Sequence, residues 1–439
     1  MKFVAVRERP GVEALERASR VDLHAHQLRR LNALFATILP GNRFYGAKLE
    51  GIRRLERLEE LAYLPFTTKG ELGVDQDAHP PFGTNLTYPL ERYTKLHQTS
   101  GTTGRAPIRW LDTPESWSWW ARCWGYVYRG AGVGTGDRIL FAFSFGPFIG
   151  FWAAFAGADH VGALTIPAGG MSTDQRVHQI VQTGATVLCC TPTYALRLAE
   201  AAAEMGIDLA QSTIRVTIHA GEPGASIPAT RARIETTYGA RCHDHTGMTE
   251  LGATGFSCRY QSGVHLIESE FIAETIDPAT LRPVAPGERG ELVMTNLGRA
   301  GSPLIRYRTG DLVELETEPC PCGRTFVRLR GGILGRADDM VTVRGVNIFP
   351  SAIEGVLRAH PEVAEYRIEL RRNREMDDMR IIVERAPALS VEDGEALARR
   401  LADEMHRNFA LRIDCTCAAP GTLPRFELKA KRLVRVGDV

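Results

Sequence analysis

From about residue 95 onward the chain alternates short apolar runs with helix-forming stretches, and this alternation restricts the fold more than any other feature. Residues 138–143, 163–166, 185–190 and 213–219 each read as a strand, and a helix is expected over 192–205. Strand–helix alternation of this kind implies an α/β fold with a buried, largely parallel sheet and helices on its faces.

The flanking regions read differently. Leu28, Leu31, Leu34, Phe35 and Ile38 fall at helical spacing, and Pro40 and Gly41 end that segment. Pro65, Pro80, Pro81 and Pro89 mark a loop-rich connection. After residue 260 the runs 271–276 and 290–295 look like strands joined by Pro/Gly turns, as in an antiparallel lobe. Glycines cluster at Gly331, Gly332 and Gly335, and beyond them lies a tail of about 100 residues with mixed helical and strand patterns. We therefore expect a large domain over 1–334 and a small α+β domain over 335–439.

A chain of 439 residues is longer than one ordinary domain. Its 44% hydrophobic and 24% charged residues are those of a soluble protein. A net charge of +1 gives no electrostatic case for nucleic acid or an anionic membrane. Residues 1–10 carry several charges and no long apolar run, so no signal peptide is expected, and no stretch reaches about 18 apolar residues free of charge, so no membrane span is expected. The expected compartment is the cytoplasm. Nine cysteines, an odd number in a large chain, do not make a disulfide framework there.

Chemistry concentrates first at residues 97–107, where Ser100, Thr102 and Thr103 lie among Gly101 and Gly104, with Arg105 just beyond. Glycines let backbone amides approach an anion, and hydroxyls and a guanidinium add donors for phosphate oxygens. The spacing is not that of the common P-loop, because Arg follows the second glycine.

Together with this loop, four more motifs follow in order: 219–223, 246–250, 307–311, and 335–340 continuing to 344–350. The series resembles the acyl-adenylate-forming superfamily and, within it, the phenylacetate-CoA ligase branch. The resemblance covers nearly the whole chain. It implies an ATP-dependent ligase that joins a carboxylic acid to coenzyme A through an acyl-adenylate, with a small C-terminal domain that rotates between the two half-reactions.

The resemblance also implies roles. Thr99, Ser100, Gly101, Thr102, Thr103 and Gly104 would hold phosphates. Gly221, Glu222 and Pro223 would lie against the adenine, near His245, Thr246, Gly247 and Met248. Asp311 would accept from the ribose hydroxyls, and Arg336 would help hold the nucleotide. Thr249 and Glu250 match the magnesium motif, Glu250 supplying the oxygen ligand that a hard cation needs; alone, the pair also reads as a helix N-cap. Asp338 matches the hinge, and Arg344 and Gly345 border the coenzyme A tunnel. Lys429 matches the catalytic lysine, with Lys431 as the alternative, because Leu428 stands where the family has glycine. A second departure is Thr246, at a position where the family has an aromatic ring for adenine.

Cys320 and Cys322 form a C-x-C pair, and Cys258 and His265 flank a polar loop upstream. Three cysteines and a histidine make a sensible tetrahedral zinc set, closed and therefore structural. Some members of the family carry similar residues at these places.

The acid is the least constrained part. Residues 141–152 are dense in aromatics and glycines, so Ser144, Phe145, Gly146 and Phe148, with His219, Ala220 and His245, are expected around an aryl acid such as phenylacetate, benzoate or an aminobenzoate. A buried strand leading into a core helix explains the same pattern. A carrier protein or an amine could replace coenzyme A as acceptor, and a zinc-bearing nucleotide-binding protein without turnover is a further alternative. The family resemblance suggests a homodimer.

Overall fold

The computed structural model describes residues 12–99, 107–337, 341–344, 346–373, 376–426 and 432–436. They fall into two compact units, each built from separate stretches of chain.

The first unit takes the chain up to Gly170, then His245–Thr309 and Val313–Gly332. Ser19 opens its long helix Arg20–Ile38, accepting the Asp22 amide at 3.1 Å and so satisfying one of the donors left over at a helix start. The expected stripe is the buried face: Leu31, Leu34, Phe35 and Ile38 pack with Tyr45, Leu61, Leu297 and Ile305. Thr113 caps the helix Pro114–Gly130, with proline in its first turn, where a missing amide costs nothing. That helix buries Trp119, Trp120, Trp124, Tyr126 and Tyr128. It packs against the helix Ile149–Val161 so closely that a Cβ on Gly157 would lie 2.2 Å from the Trp124 Cβ.

Strands Arg138–Phe141 and Leu164–Pro167 pair in parallel, and Ile149–Val161 is the crossover between them. The antiparallel lobe also forms as expected. Phe271–Ile276 pairs with Arg289–Asn296 along its whole length. Gly252–Ser257 pairs with Val264–Leu266, and Arg328–Leu329 lies between Val264–Leu266 and Tyr307–Glu316.

The second unit takes Met171–Asp244, Gly310–Leu312 and the chain from Ile333 on. Strands Val187–Cys190, Val216–His219 and the start of Arg241–Met248 pair in parallel. Every residue of the first two is buried, as befits strands covered on both faces. Helices Thr173–Thr183, Pro192–Glu204 and Pro228–Tyr238 alternate with them. Further on, Val363–Asn373 and Met376–Arg385 form a long antiparallel pair. Leu433–Val436 and Asp414–Ala418 extend it in parallel on either side. Helices Pro350–Arg358 and Val391–Phe409 bury Ile353, Leu357, Leu397 and Leu401 in a core with Ile368 and Ile381.

The fold is therefore α/β, with parallel and antiparallel parts where the sequence put them. None of the described helices is long and apolar enough to cross a membrane.

Candidate active site

Thr249 and Glu250 sit in the tight turn between Arg241–Met248 and Gly252–Ser257. The register slips between Thr246 and Gly247, and a Cβ on Gly247 would meet the Gly252 carbonyl oxygen at 2.7 Å. The slip bends the hairpin, and glycine lets the strands close on it. No helix starts here, so the N-cap reading of Thr249 is corrected: the chain pairs back as a strand instead.

Two side chains outside the sequence motifs fix this turn. Arg299 donates from Nη1 to the carbonyl oxygens of both Thr249 and Glu250, each at 2.8 Å. Its Nε and Nη2 donate to the two carboxylate oxygens of Asp112 at 2.7 and 2.6 Å. Both side chains are fully buried. The Trp110 and Trp120 rings lie 5.1 and 5.3 Å from the guanidinium carbon, within cation–π range. The Glu250 carboxylate is buried, and the Lys69 ammonium stands 3.3 Å from it.

Thr99 is buried at the base of the phosphate loop. Its amide donates to the Ile108 carbonyl at 3.0 Å, and its hydroxyl accepts the Ile108 amide at 3.1 Å, which ties Thr99 to Ile108. Strands Lys95–Gln98 and Arg109–Asp112 pair beneath it. Ser100, Gly101, Thr102, Thr103, Gly104, Asp338, Gly345, Lys429 and Lys431 lie outside the described residues.

In the second unit, Asp311 and Arg336 come together at 3.1 Å, opposite each other on paired strands. Gly310 has φ +75°, and a Cβ there would lie 2.7 Å from an Arg336 nitrogen, so glycine makes room for the guanidinium. Glu222 accepts the Thr193 amide at 2.9 Å, within a turn where Gly221 and Pro223 are exposed and Ala220 is partly buried. Gly221 has φ +96°. Arg344 is exposed and paired with Asp378 at 2.7 Å.

The expected acid-site residues divide. Ser144 is exposed and Phe145 is partly buried against Trp152 and Phe155. Gly146 accepts the Trp152 indole N–H at 3.0 Å, and Phe148 precedes the helix Ile149–Val161. His245 is buried, its ring 4.3 Å from that of Trp124, and its Nδ1 donates to the Gly255 carbonyl at 2.8 Å. Burial pushes its pKa down to about 4, against the opposing effect of that hydrogen bond. His219 is wholly buried and likewise held near 4 by burial, with Nδ1 3.0 Å from the Cys190 carbonyl oxygen. Thr246 is buried, its hydroxyl 3.2 Å from that of Thr254, and Met248 closes the strand opposite Gly252.

Cys258, His265, Cys320 and Cys322 converge, with their ligand atoms all within 4.8 Å of one another. Cys258 and Cys320 sulfurs are 3.7 Å apart, and the Cys322 sulfur is 3.5 Å from His265 Nε2. His265 Nδ1 lies 3.1 Å from the Phe326 carbonyl oxygen, which fixes the proton there and leaves Nε2 free to ligate.

Residues 96–299 match the AMP-binding enzyme family, and residues 345–435 match the AMP-binding enzyme C-terminal domain. A fold and site of this kind thus define an AMP-binding enzyme. The phenylacetate-coenzyme A ligase of Thermus thermophilus is 33% identical, over 97% of this chain and 98% of that protein. The Escherichia coli phenylacetate-coenzyme A ligase is 30% identical over 98% of each. A crystal structure of 2-hydroxyisobutyryl-CoA ligase in the postadenylation state with 2-HIB-AMP matches with a TM-score of 0.93 at 29% identity, over 99% of this chain and 95% of that one. The chain belongs to the phenylacetate-coenzyme A ligase family.

Because His245 is buried neutral, the folded state resists protonation that the unfolded chain accepts below about pH 6.5. Stability is therefore intact above that pH and falls as pH drops toward 4, by up to about 1.4 kcal/mol per pH unit for each such histidine. Denaturation midpoints measured from pH 7 to 4.5 should show this slope, and His245→Phe should reduce it by about one proton. An unchanged slope would show that the ring titrates normally.

Proposed function

We propose that this chain activates an aryl carboxylic acid with ATP and passes the acyl group to coenzyme A. ATP-dependent acid–coenzyme A ligation through an acyl-adenylate is the reaction class. The observation that carries it is the full-length match to a ligase holding an acyl-adenylate. In the first half-reaction a carboxylate oxygen attacks the α-phosphorus, the α–β bridging bond breaks, and pyrophosphate leaves. In the second, the coenzyme A sulfur attacks the acyl carbon, the carbon–oxygen bond to phosphate breaks, and AMP leaves.

In this reading the residues position and neutralise charge; no protein nucleophile is needed. Thr99, Ser100, Gly101, Thr102, Thr103 and Gly104 hold phosphates, and Glu222 orders the adenine turn. Asp311, steadied by Arg336, accepts from ribose. Lys429 bridges the carboxylate and the α-phosphate. Glu250 would hold Mg²⁺, which offsets phosphate charge when bound; a buried carboxylate on a fixed turn suits that use. The domains run 1–334 and 335–439, hinged at Asp338, with Arg344 and Gly345 beside the pantetheine path. Cytoplasmic location and a homodimer belong to the same reading.

Two features support an aryl acid: the aromatic cluster of Phe145, Trp152 and Phe155, and the His245 ring packed on Trp124. Purified protein with ATP, Mg²⁺, coenzyme A and a panel of aryl and aliphatic acids should yield AMP and an aryl-CoA, read by mass spectrometry. Preference for short aliphatic acids would overturn the aryl assignment. An acyl-adenylate without thioester would move the acceptor to a carrier protein or an amine.

We also read Cys258, His265, Cys320 and Cys322 as a structural zinc site. Bonds of about 2.3 Å to sulfur and about 2.0–2.1 Å to nitrogen give tetrahedral edges of about 3.8 Å between sulfurs and about 3.5 Å between sulfur and nitrogen. The observed separations, 3.7 and 3.5 Å, fit. Metal analysis should find about one zinc per chain, and Cys320→Ser should lose it and lower the melting temperature. Purified protein that holds no zinc, and whose melting temperature Cys320→Ser leaves unchanged, would refute the site.

A further inference from the structure

We propose that Arg299 is a positioning residue for adenylation, tying the strands beneath the phosphate loop to the turn that carries Thr249 and Glu250. The inference rests on reading Glu250 as the magnesium ligand.

A guanidinium offers five N–H donors in one plane. Arg299 spends two on Asp112 and two on the carbonyl oxygens of Thr249 and Glu250. Asp112 ends the strand Arg109–Asp112, and Lys95 lies opposite it on the strand leading into the phosphate loop. Trp110, on the same strand, packs against the guanidinium from one side, and Trp120 approaches it too. One rigid group thus sets the distance between the phosphate-loop strands and the backbone of the metal turn. Among the described residues, Arg299 joins those strands to the turn through side-chain hydrogen bonds on both. Groups that orient a metal ligand without touching the metal typically matter by 10–100-fold in affinity or activity.

Removing the guanidinium outright would strand a buried carboxylate, so the test uses two milder variants. Arg299→Lys keeps a cation for Asp112, but one nitrogen cannot reach both carboxylate oxygens and both carbonyls. The double variant Arg299→Gln with Asp112→Asn removes both charges together. Each is assayed for acid-dependent AMP formation across a Mg²⁺ titration, and separately for thioester formation from supplied acyl-adenylate. The expected result is a rise of about 3–10-fold in half-saturating Mg²⁺ and a fall of about 10–100-fold in the adenylation kcat. KM for the acid and the rate from supplied acyl-adenylate should change by less than about 2-fold. If both half-reactions fall together with the melting temperature, and the Mg²⁺ curve stays in place, the role is structural only and the proposal is wrong. Should Arg299→Lys not fold, the neutral pair decides by the same two readouts. Wild-type protein that makes no AMP with any acid would instead defeat the ligase reading itself.

Discussion

The Asp112–Arg299 pair is the interaction around which the first unit is arranged. Two opposite charges with no exposure are costly to desolvate, and such a pair persists only when its remaining donors are also satisfied. Here two carbonyls of a hairpin turn take both Nη1 hydrogens, and the Trp110 and Trp120 rings lie within cation–π range. Loss of either partner would leave a buried charge unanswered, so geometry at this point is held far more tightly than an apolar contact would hold it. The strands under the phosphate loop, the cap of the tryptophan-rich helix at Thr113 and the Thr249–Glu250 turn all meet there.

A second organising point lies at the cysteine–histidine cluster. The chain just beyond Cys322 is stitched to the start of the long N-terminal helix. Arg324 pairs with Glu16, Thr325 donates to the Ala18 carbonyl at 2.7 Å, and Glu268 bridges Arg20 and the Val327 amide. Segments with little regular structure of their own are thus held by the cluster on one side and by a capped helix on the other. Phe326, buried against Tyr126, adds an apolar anchor just beyond the cluster.

Local signals in the sequence were reliable where a single element decides its own structure. The stripe from Leu28 to Ile38 formed because helical periodicity distinguishes it, and the strand Phe271–Ile276 and the buried run Val187–Cys190 formed because short apolar runs between turn signals suit strands. The four metal-ligand candidates also converged, since few arrangements satisfy three cysteines and a histidine near each other. The helix cap that Thr249 and Glu250 suggest when read alone, against the magnesium motif they match in series, is not what the chain forms. A threonine followed by a glutamate carries the same local signal in a cap and in a turn, and the glycine-rich strand Gly252–Ser257 gave little sign of pairing back. Arg299 and Lys69 were missed for another reason. Arg299 meets Asp112 across 187 positions of sequence, and no spacing rule reaches that far. Lys69 faces Glu250 from a helix whose pattern speaks only of its own amphipathicity.

The central claim is that acid activation is a separate, reversible first step that needs no coenzyme A. The most direct measurement is exchange of labelled pyrophosphate into ATP with coenzyme A left out. The account predicts exchange that requires both Mg²⁺ and an acid and that stops when the acid is omitted. Thioester formation under complete conditions without any such exchange, or exchange that ignores the acid, would contradict it.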